Sequence, residues 1–594
     1  MRSLNAWILS LSLAVPTFAA LYTSPSQLPR TVYDYIVIGA GTAGSVVASR
    51  LTENPSISVL VLEAGVTNEG VLASIVPFLG PSLAPNTVYD WNYTTSAQSG
   101  YNGRTVPYPR GRMLGGSSSI NYMAYTRGSS EDFDRYAAVT GDPGWAWGNM
   151  KQFMTKIEKL VPPADNHSTA GQLDPSVHSL NGAISVSLPG FPTALDDRIM
   201  ATTRELPAEF PFNLDMNDGN VLGIGWFQGT LGGGKRSSAA TAYLQSGQIN
   251  RPNLHVLINA QVTKLVKTGI VSGLPSFRGV QFASQKGGTT TTVYGNKEVI
   301  LSAGSIGTPT ILQLSGIGPK AALKTVGITA IVDNPSVGQN LSDHALLVNT
   351  YNVKGSDSFD NLFRDSNTFS TSLSQWTSSL SGPFTDGIAN HLAFLRLPSS
   401  ASIFKTVKDP APGPKSAHYE FIFSNLWVQP GIPVPATGGF MSITTCVISP
   451  TARGFTKISS SDPFAKPIID PKFLSTPFDI FTMKEAVKAV QRFTSAKAWK
   501  DYILSPFGAL ATATTDTIIE TYVRNNAGTV FHPTGTASMS PKGAKWGVVD
   551  PNLKVKGVEG LRIVDASIMP FIPNGHPQAP IYLIAERAAA LIKS

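Results

Sequence analysis

Seven consecutive positions, Val32-Tyr33-Asp34-Tyr35-Ile36-Val37-Ile38, are almost wholly apolar or β-prone, and a run of small residues, Gly39-Ala40-Gly41-Thr42-Ala43-Gly44, follows them. This predicts a strand leading through a tight turn into a helix that reaches Leu51. A second apolar run, Ile57-Ser58-Val59-Leu60-Val61-Leu62, ends on Glu63 and completes a βαβ unit. The opening predicts an α/β fold with a parallel sheet.

Beyond residue 100 that rhythm fails. Strand-like runs return at Leu254 to Ile258, at Glu298 to Ser302 and at Gly560-Leu561-Arg562-Ile563-Val564-Asp565, so the first domain is expected to be discontinuous, over 31–110, 230–344 and 505–594. Between these returns, residues 345 to 500 are rich in aromatics and hold β-prone runs at His418 to Ser424 and Phe440 to Ile448. They predict an antiparallel sheet in a second, α+β domain built from 111–229 and 345–504. The active site is expected between the two domains.

The small-residue turn matches G-x-G-x-x-G, and its position between strand and helix gives the match weight. Gly39, Gly41 and Gly44 would let the backbone approach a pyrophosphate at the helix N-terminus, while Glu63, 19 positions after Gly44, would accept hydrogen bonds from a ribose. The pattern suits FAD and NAD alike.

Composition narrows the class. Hydrophobic residues make up 42% of the 594, charged residues 14%, and there are 54 Gly and 43 Pro, which describes a packed globule with many ordered turns. The net charge of +8 is dispersed without a basic run, so no nucleic-acid partner is expected. A single cysteine, Cys446, excludes an intramolecular disulfide and any multi-cysteine metal site, and is read as a small buried apolar side chain; no metal is expected.

At the N-terminus, Met1-Arg2 precedes an apolar stretch from Ala6 to Val15 and then Pro16-Thr17-Phe18-Ala19-Ala20, which reads as a secretory signal over residues 1–20. With no later membrane span and with sequons at Asn92, Asn166 and Asn340, a secreted glycoprotein is expected.

Two of only eight histidines, His532 in Phe531-His532-Pro533 and His576 in Asn574-Gly575-His576-Pro577, sit 44 residues apart in Pro/Gly-rich surroundings. Imidazole is the side chain best suited to exchange a proton near neutral pH.

Two longer stretches identify a family resemblance. Gly111-Arg112-Met113-Leu114-Gly115-Gly116-Ser117-Ser118-Ser119-Ile120-Asn121 and Gly304-Ser305-Ile306-Gly307-Thr308-Pro309-Thr310-Ile311-Leu312-Gln313-Leu314-Ser315-Gly316-Ile317-Gly318 resemble the two signatures of the glucose-methanol-choline oxidoreductases. The resemblance implies FAD, with contacts from Gly116, Ser119, Asn121, Val262 and Asp565. It also implies alcohol oxidation, with His532 as the base and His576 as the hydrogen-bonding partner of the hydroxyl. Residues of the second signature are read as structural, and His344, in Asn340-Leu341-Ser342-Asp343-His344, as structural or supporting. Tyr122 and Phe531 are expected to line the substrate site.

Within the family, Tyr108-Pro109-Arg110-Gly111 and Ser185-Val186-Ser187-Leu188-Pro189-Gly190-Phe191-Pro192 resemble aryl-alcohol oxidases. Pro211-Phe212-Asn213-Leu214-Asp215-Met216-Asn217 is similar to pyranose dehydrogenases. Pyranose dehydrogenases that bind flavin covalently carry histidine before the signature asparagine; Ile120 stands there, so FAD is expected to be non-covalent. Where aryl-alcohol oxidases tend to have an aromatic gate, this chain reads Trp427-Val428. The expectation is a monomeric aryl-alcohol oxidase passing electrons to O2, or to a quinone. The alternatives are a quinone-dependent sugar dehydrogenase and, on the same fold, a hydroxynitrile lyase.

Overall fold

In the computed structural model, which describes residues 21–355, 357–429 and 432–594, the opening βαβ unit forms where its pattern lies: strand Val32–Ile38, helix Thr42–Leu51, strand Val59–Leu62. Tyr33 and Ile36 to Ile38 are buried, as are Val59 to Leu62, because helices cover the sheet. Thr42–Leu51 packs against the sheet together with the C-terminal helix Gln578–Lys593. The bidentate contact of Arg50 with buried Glu586 ties the two helices, at 2.9 Å from Nε and 2.8 Å from Nη2.

Three of the later runs join this sheet. Its order is Leu21–Tyr22, Leu254–Leu257, Val59–Leu62, Val32–Ile38, Thr291–Leu301, Leu274–Ala283, Gln261–Val271. Leu561–Ile563 pairs in parallel with Val299 to Leu301. Neighbouring parallel strands end in step, with Ile38 opposite both Leu62 and Leu301, and Leu301 opposite Ile563. Four C-terminal strand ends thus share one edge, where ligands bind in open α/β sheets.

The second sheet is antiparallel, in the order Ile503–Pro506, Ala345–Val353, Gly439–Val447, Tyr419–Ser424, Ala389–Leu395, Gly223–Trp226. Its inner face packs on helix Pro477–Thr494 through Met441, Ile443, Phe421, Phe423, Val487, Val490 and Phe493. The return expected at residue 505 comes later. Ile503–Pro506 and Gly528–Thr529 both pair with Ala345–Val353, since backbone pairing outside the first sheet holds the chain until just before His532. Cys446 is buried in Gly439–Val447, directly opposite Glu420 and Leu346.

No helix among the described residues is long and apolar enough to cross a membrane. The expected secretory leader, residues 1–20, lies outside the described residues. Of the three sequon asparagines, Asn166 is exposed. Asn340 donates through Nδ2 to Ser538 and Pro570, and Asn92 donates to Thr87, so both amides are engaged within the fold.

Candidate active site

A cavity of about 780 Å³ runs along the shared strand edge, from Glu63 at one end to His532 at the other. That volume lies in the range of sites that bury a cofactor-sized molecule. At the Glu63 end the wall is backbone. Gly39 has φ of +98°, and a Cβ there would stand 2.5 Å from the Ser302 carbonyl oxygen; one on Gly44 would stand 1.9 Å from the Gly39 carbonyl oxygen. Only hydrogen fits, so helix Thr42–Leu51 abuts the turn and its N-terminus opens on the cavity. The Glu63 carboxylate is held by backbone donors, Ala40 N–H at 2.9 Å and Gly65 N–H at 2.8 Å, and burial raises its pKa. It therefore braces the turn as well as facing the cavity.

Both signatures contribute to the cavity wall. Gly116 touches the turn so closely that a Cβ would come within 2.8 Å of the Gly41 Cα. Residues Ser302 to Gly307, at the start of helix Gly304–Leu314, line the cavity too, which gives the second signature a place on the cavity wall as well as a structural task. Asp565 caps that helix from outside, accepting from Gly304 N–H at 2.9 Å and Thr308 Oγ1 at 2.6 Å. Val262 also lines the cavity.

Four residues expected at the site, Ser119, Asn121, Tyr122 and Phe531, lie off the cavity wall, as does Gly44, which backs the turn. Ser119 is buried with its hydroxyl donated to the Leu114 carbonyl at 2.7 Å, so it fixes its own loop and is not on the cavity wall. Asn121 is also off the wall, because both ends of its amide are taken: Nδ2 donates to Gln578 Oε1 at 2.5 Å, and Oδ1 accepts from Arg236 at 2.7 Å. Tyr122 stays 40% exposed, while Phe531 is partly buried and sits at φ of +67°. Neither aromatic lines the cavity. Trp427 packs edge-on against Phe440 and Phe507, with ring centres 5.1 and 5.0 Å away, and Val428 packs into the apolar lobe of Phe78 and Phe384.

The His532 end is built by long-range pairing. Ala345 lies opposite Thr529, and Ser342 bridges to Thr534, which brings His344 beside His532. Asp343 Oδ1 accepts from the backbone N–H of both histidines, at 2.7 and 2.8 Å. Its other oxygen accepts from Tyr108 at 2.5 Å and Thr529 at 2.8 Å. Burial nevertheless lifts this carboxyl to about 6. Arg110 holds the Phe531 carbonyl at 2.7 Å.

Three imidazoles meet here. His532 and His576 stand edge to face with ring centres 4.8 Å apart, and His344 Nδ1 lies 3.1 Å from His532 Nδ1. His576 Nε2 lies 2.8 Å from Oε1 of Glu420, which is fully buried on strand Tyr419–Ser424. Burial, followed by the neighbouring His576, His344 and Arg110, holds the His532 pKa well below that of free histidine. His532 is thus a neutral imidazole facing the cavity, beside a second imidazole paired with a carboxylate. Sequence reading missed Glu420, Asp343 and Arg110; Glu420 left one signal, a carboxylate within an otherwise β-prone buried strand.

The chain matches the GMC oxidoreductase family in two blocks, residues 33–346 and 450–585. It belongs to that family. "Dehydrogenase eriK" of Hericium erinaceus is 42% identical over 98% of each chain, and "Pyranose dehydrogenase 3" of Leucoagaricus meleagris is 40% identical over 99% of this chain and 98% of that one. A solved fungal aryl-alcohol oxidase superposes with a TM-score of 0.80 at 26% identity, covering 95% of this chain and 99% of the other.

GMC oxidoreductases bind FAD, and the cavity residues fit it. Asp90 Oδ2 and Ser302 Oγ are buried on the cavity-lining residues without a protein partner, which suits hydroxyl-rich ligand atoms. The glycine wall and the helix N-terminus suit a pyrophosphate. The family assignment makes this an FAD-dependent enzyme acting on CH–OH donors.

Proposed function

We propose that the protein removes a hydride and a proton from a hydroxyl-bearing carbon, with His532 as the base. One observation carries the reading: a neutral imidazole closes one end of an FAD-sized cavity, and His576, paired with Glu420, stands beside it. Bound FAD supplies the hydride acceptor. His532 takes the hydroxyl proton. His576 Nε2 is committed to Glu420, and its Nδ1 has no hydrogen-bond partner among the described residues. That nitrogen is the one available to orient the hydroxyl and to stabilise negative charge developing on its oxygen. Gly39, Gly41, Glu63, Gly116, Val262 and Asp565 hold the cofactor, without a covalent bond, since Ile120 packs against Leu83 and Met113 and has no nucleophilic atom. Acid precipitation should leave all flavin in the supernatant.

The substrate reading moves from the sequence expectation. Full-length relatives named as pyranose dehydrogenases favour a sugar-type alcohol and an organic acceptor such as a quinone over the aryl alcohol and O2. Aryl-alcohol oxidation stays as the second reading, favoured by Ile120 at the histidine position and by the aryl-alcohol oxidase superposition. Anaerobic mixing with glucose or xylose should bleach the flavin, and benzoquinone should restore it faster than O2. Bleaching by anisyl alcohol alone, with rapid reoxidation by O2, would overturn the preference. We also assign the chain to the extracellular space as a monomer, with Asn166 the glycan site; endoglycosidase treatment of the secreted protein should alter only the peptide that contains Asn166.

A further inference from the structure

His344 plays no part in that scheme, yet it is fully buried against the base. Its placement is not incidental to packing. The Ala345 to Thr529 register and the shared carboxylate of Asp343 fix the backbones of His344 and His532 relative to each other. Their side chains then meet Nδ1 to Nδ1 at 3.1 Å, rings at 81°. One of those nitrogens must carry a proton and the other must not.

Two observations choose between the tautomers. With Nδ1 turned to His344, the Nε2 of His532 is left to face the cavity. The far nitrogen of His344, Nε2, closes no hydrogen bond, and the Ile448 backbone, which acts as an acceptor toward the His344 ring, is left to that nitrogen because Nδ1 faces His532. A proton on His344 Nε2 suits an acceptor neighbour, and it leaves His344 Nδ1 bare. Once His532 has taken the substrate proton it carries N–H on both nitrogens, and only a bare His344 Nδ1 can face it.

We propose that His344 is a positioning residue, which accepts the Nδ1 proton of His532 and so presents the bare Nε2 of His532 to the substrate hydroxyl. This rests on His532 being the base. In the step, the substrate O–H bond and the C–H bond of the carbon that bears the hydroxyl break and a C=O bond forms; the proton goes to His532 Nε2, the hydride to the acceptor that bound FAD would supply, and no proton passes to His344. Burial and the neighbouring His576 hold His344 down to about 3, so it stays a neutral acceptor throughout. The other charged or titratable groups around the pair are Asp343, Tyr108, Arg110, His576 and Glu420.

The test uses the FAD-loaded enzyme. His344→Phe keeps a ring and removes the acceptor, and should slow anaerobic flavin reduction on the order of a hundredfold while substrate affinity and flavin content hold within threefold. His344→Gln restores an acceptor oxygen and should recover most of that loss. The acid limb of the reduction rate should move to lower pH in His344→Phe, because the His532 imidazolium loses its acceptor. With only eight histidines, ¹⁵N-histidine labelling of the wild type should show His532 protonated at Nδ1 and bare at Nε2. The inference fails if His344→Phe reduces flavin at the wild-type rate, if the Phe and Gln variants are equally impaired, or if His532 Nδ1 is bare. Should His344→Phe not fold, the wild-type spectrum and the Gln variant decide it. Unimpaired reduction by His532→Ala would sink the base reading itself, while the labelled spectrum would still report the direction of the hydrogen bond.

Discussion

The two ends of the cavity are built differently. At the Glu63 end, 25 consecutive residues from Gly39 to Glu63 supply the turn, the helix and the bracing carboxylate, and glycine is required because backbone meets backbone. At the His532 end, Tyr108, Arg110, Asp343, His344, Glu420, His532 and His576 arrive from segments scattered over most of the chain. A local site is written as a motif. A convergent one is written in strand register.

Substitutions at the two ends should therefore fail differently. The largest effect is expected of Gly44→Ala. Its methyl would overlap the Gly39 carbonyl oxygen, and the helix cannot yield because Gln578–Lys593 lies against it. The protein should lose flavin and unfold at markedly lower temperature, seen as an absent flavin spectrum and a fall in Tm; full flavin content would break the account of that turn. Next comes Glu63→Gln, which trades one of two backbone-accepting oxygens for a donor facing a backbone N–H. FAD affinity should drop at least tenfold by fluorescence titration.

Glu420→Gln should leave flavin bound and act on chemistry alone. It keeps the shape beside His576 and removes the charge, so flavin reduction should slow about tenfold with little change in Tm. A variant that loses flavin instead would mean that the two ends are not separable. The smallest effect is one of pH. The His532 pKa is depressed, so the proposed base is already unprotonated at neutral pH and the rate should be flat above about 6.5, falling only as pH drops further. A rate that climbs between pH 7 and 8 would contradict a neutral His532.

The same contrast explains what the chain discloses on reading. The βαβ unit, the three late strands and the antiparallel sheet are visible because periodicity and β-prone runs are local properties. Gly39, Gly41, Glu63, Gly116, Val262 and Asp565 line the cavity, and Gly44 stands behind its wall. Ser119 and Asn121 do not, since whether a polar side chain turns to a ligand or to its own loop depends on partners such as Arg236 and Gln578, far away in sequence. The expected boundary at residue 505 cuts through Ile503–Pro506 and leaves Gly528–Thr529 outside the second sheet for a related reason: short edge strands carry little pattern, and their partner sits 150 or more residues earlier. Glu420 and His344 gain meaning only when the sheet sets them against His576 and His532.

The central claim is that His532 is the base and is needed for chemistry but not for the cofactor. Stopped-flow anaerobic reduction of His532→Ala, with an alcohol that bleaches the wild type, tests it most directly. The prediction is a wild-type complement of bound FAD with a reduction rate lower by about a thousandfold. Reduction at the wild-type rate with FAD fully bound would contradict it.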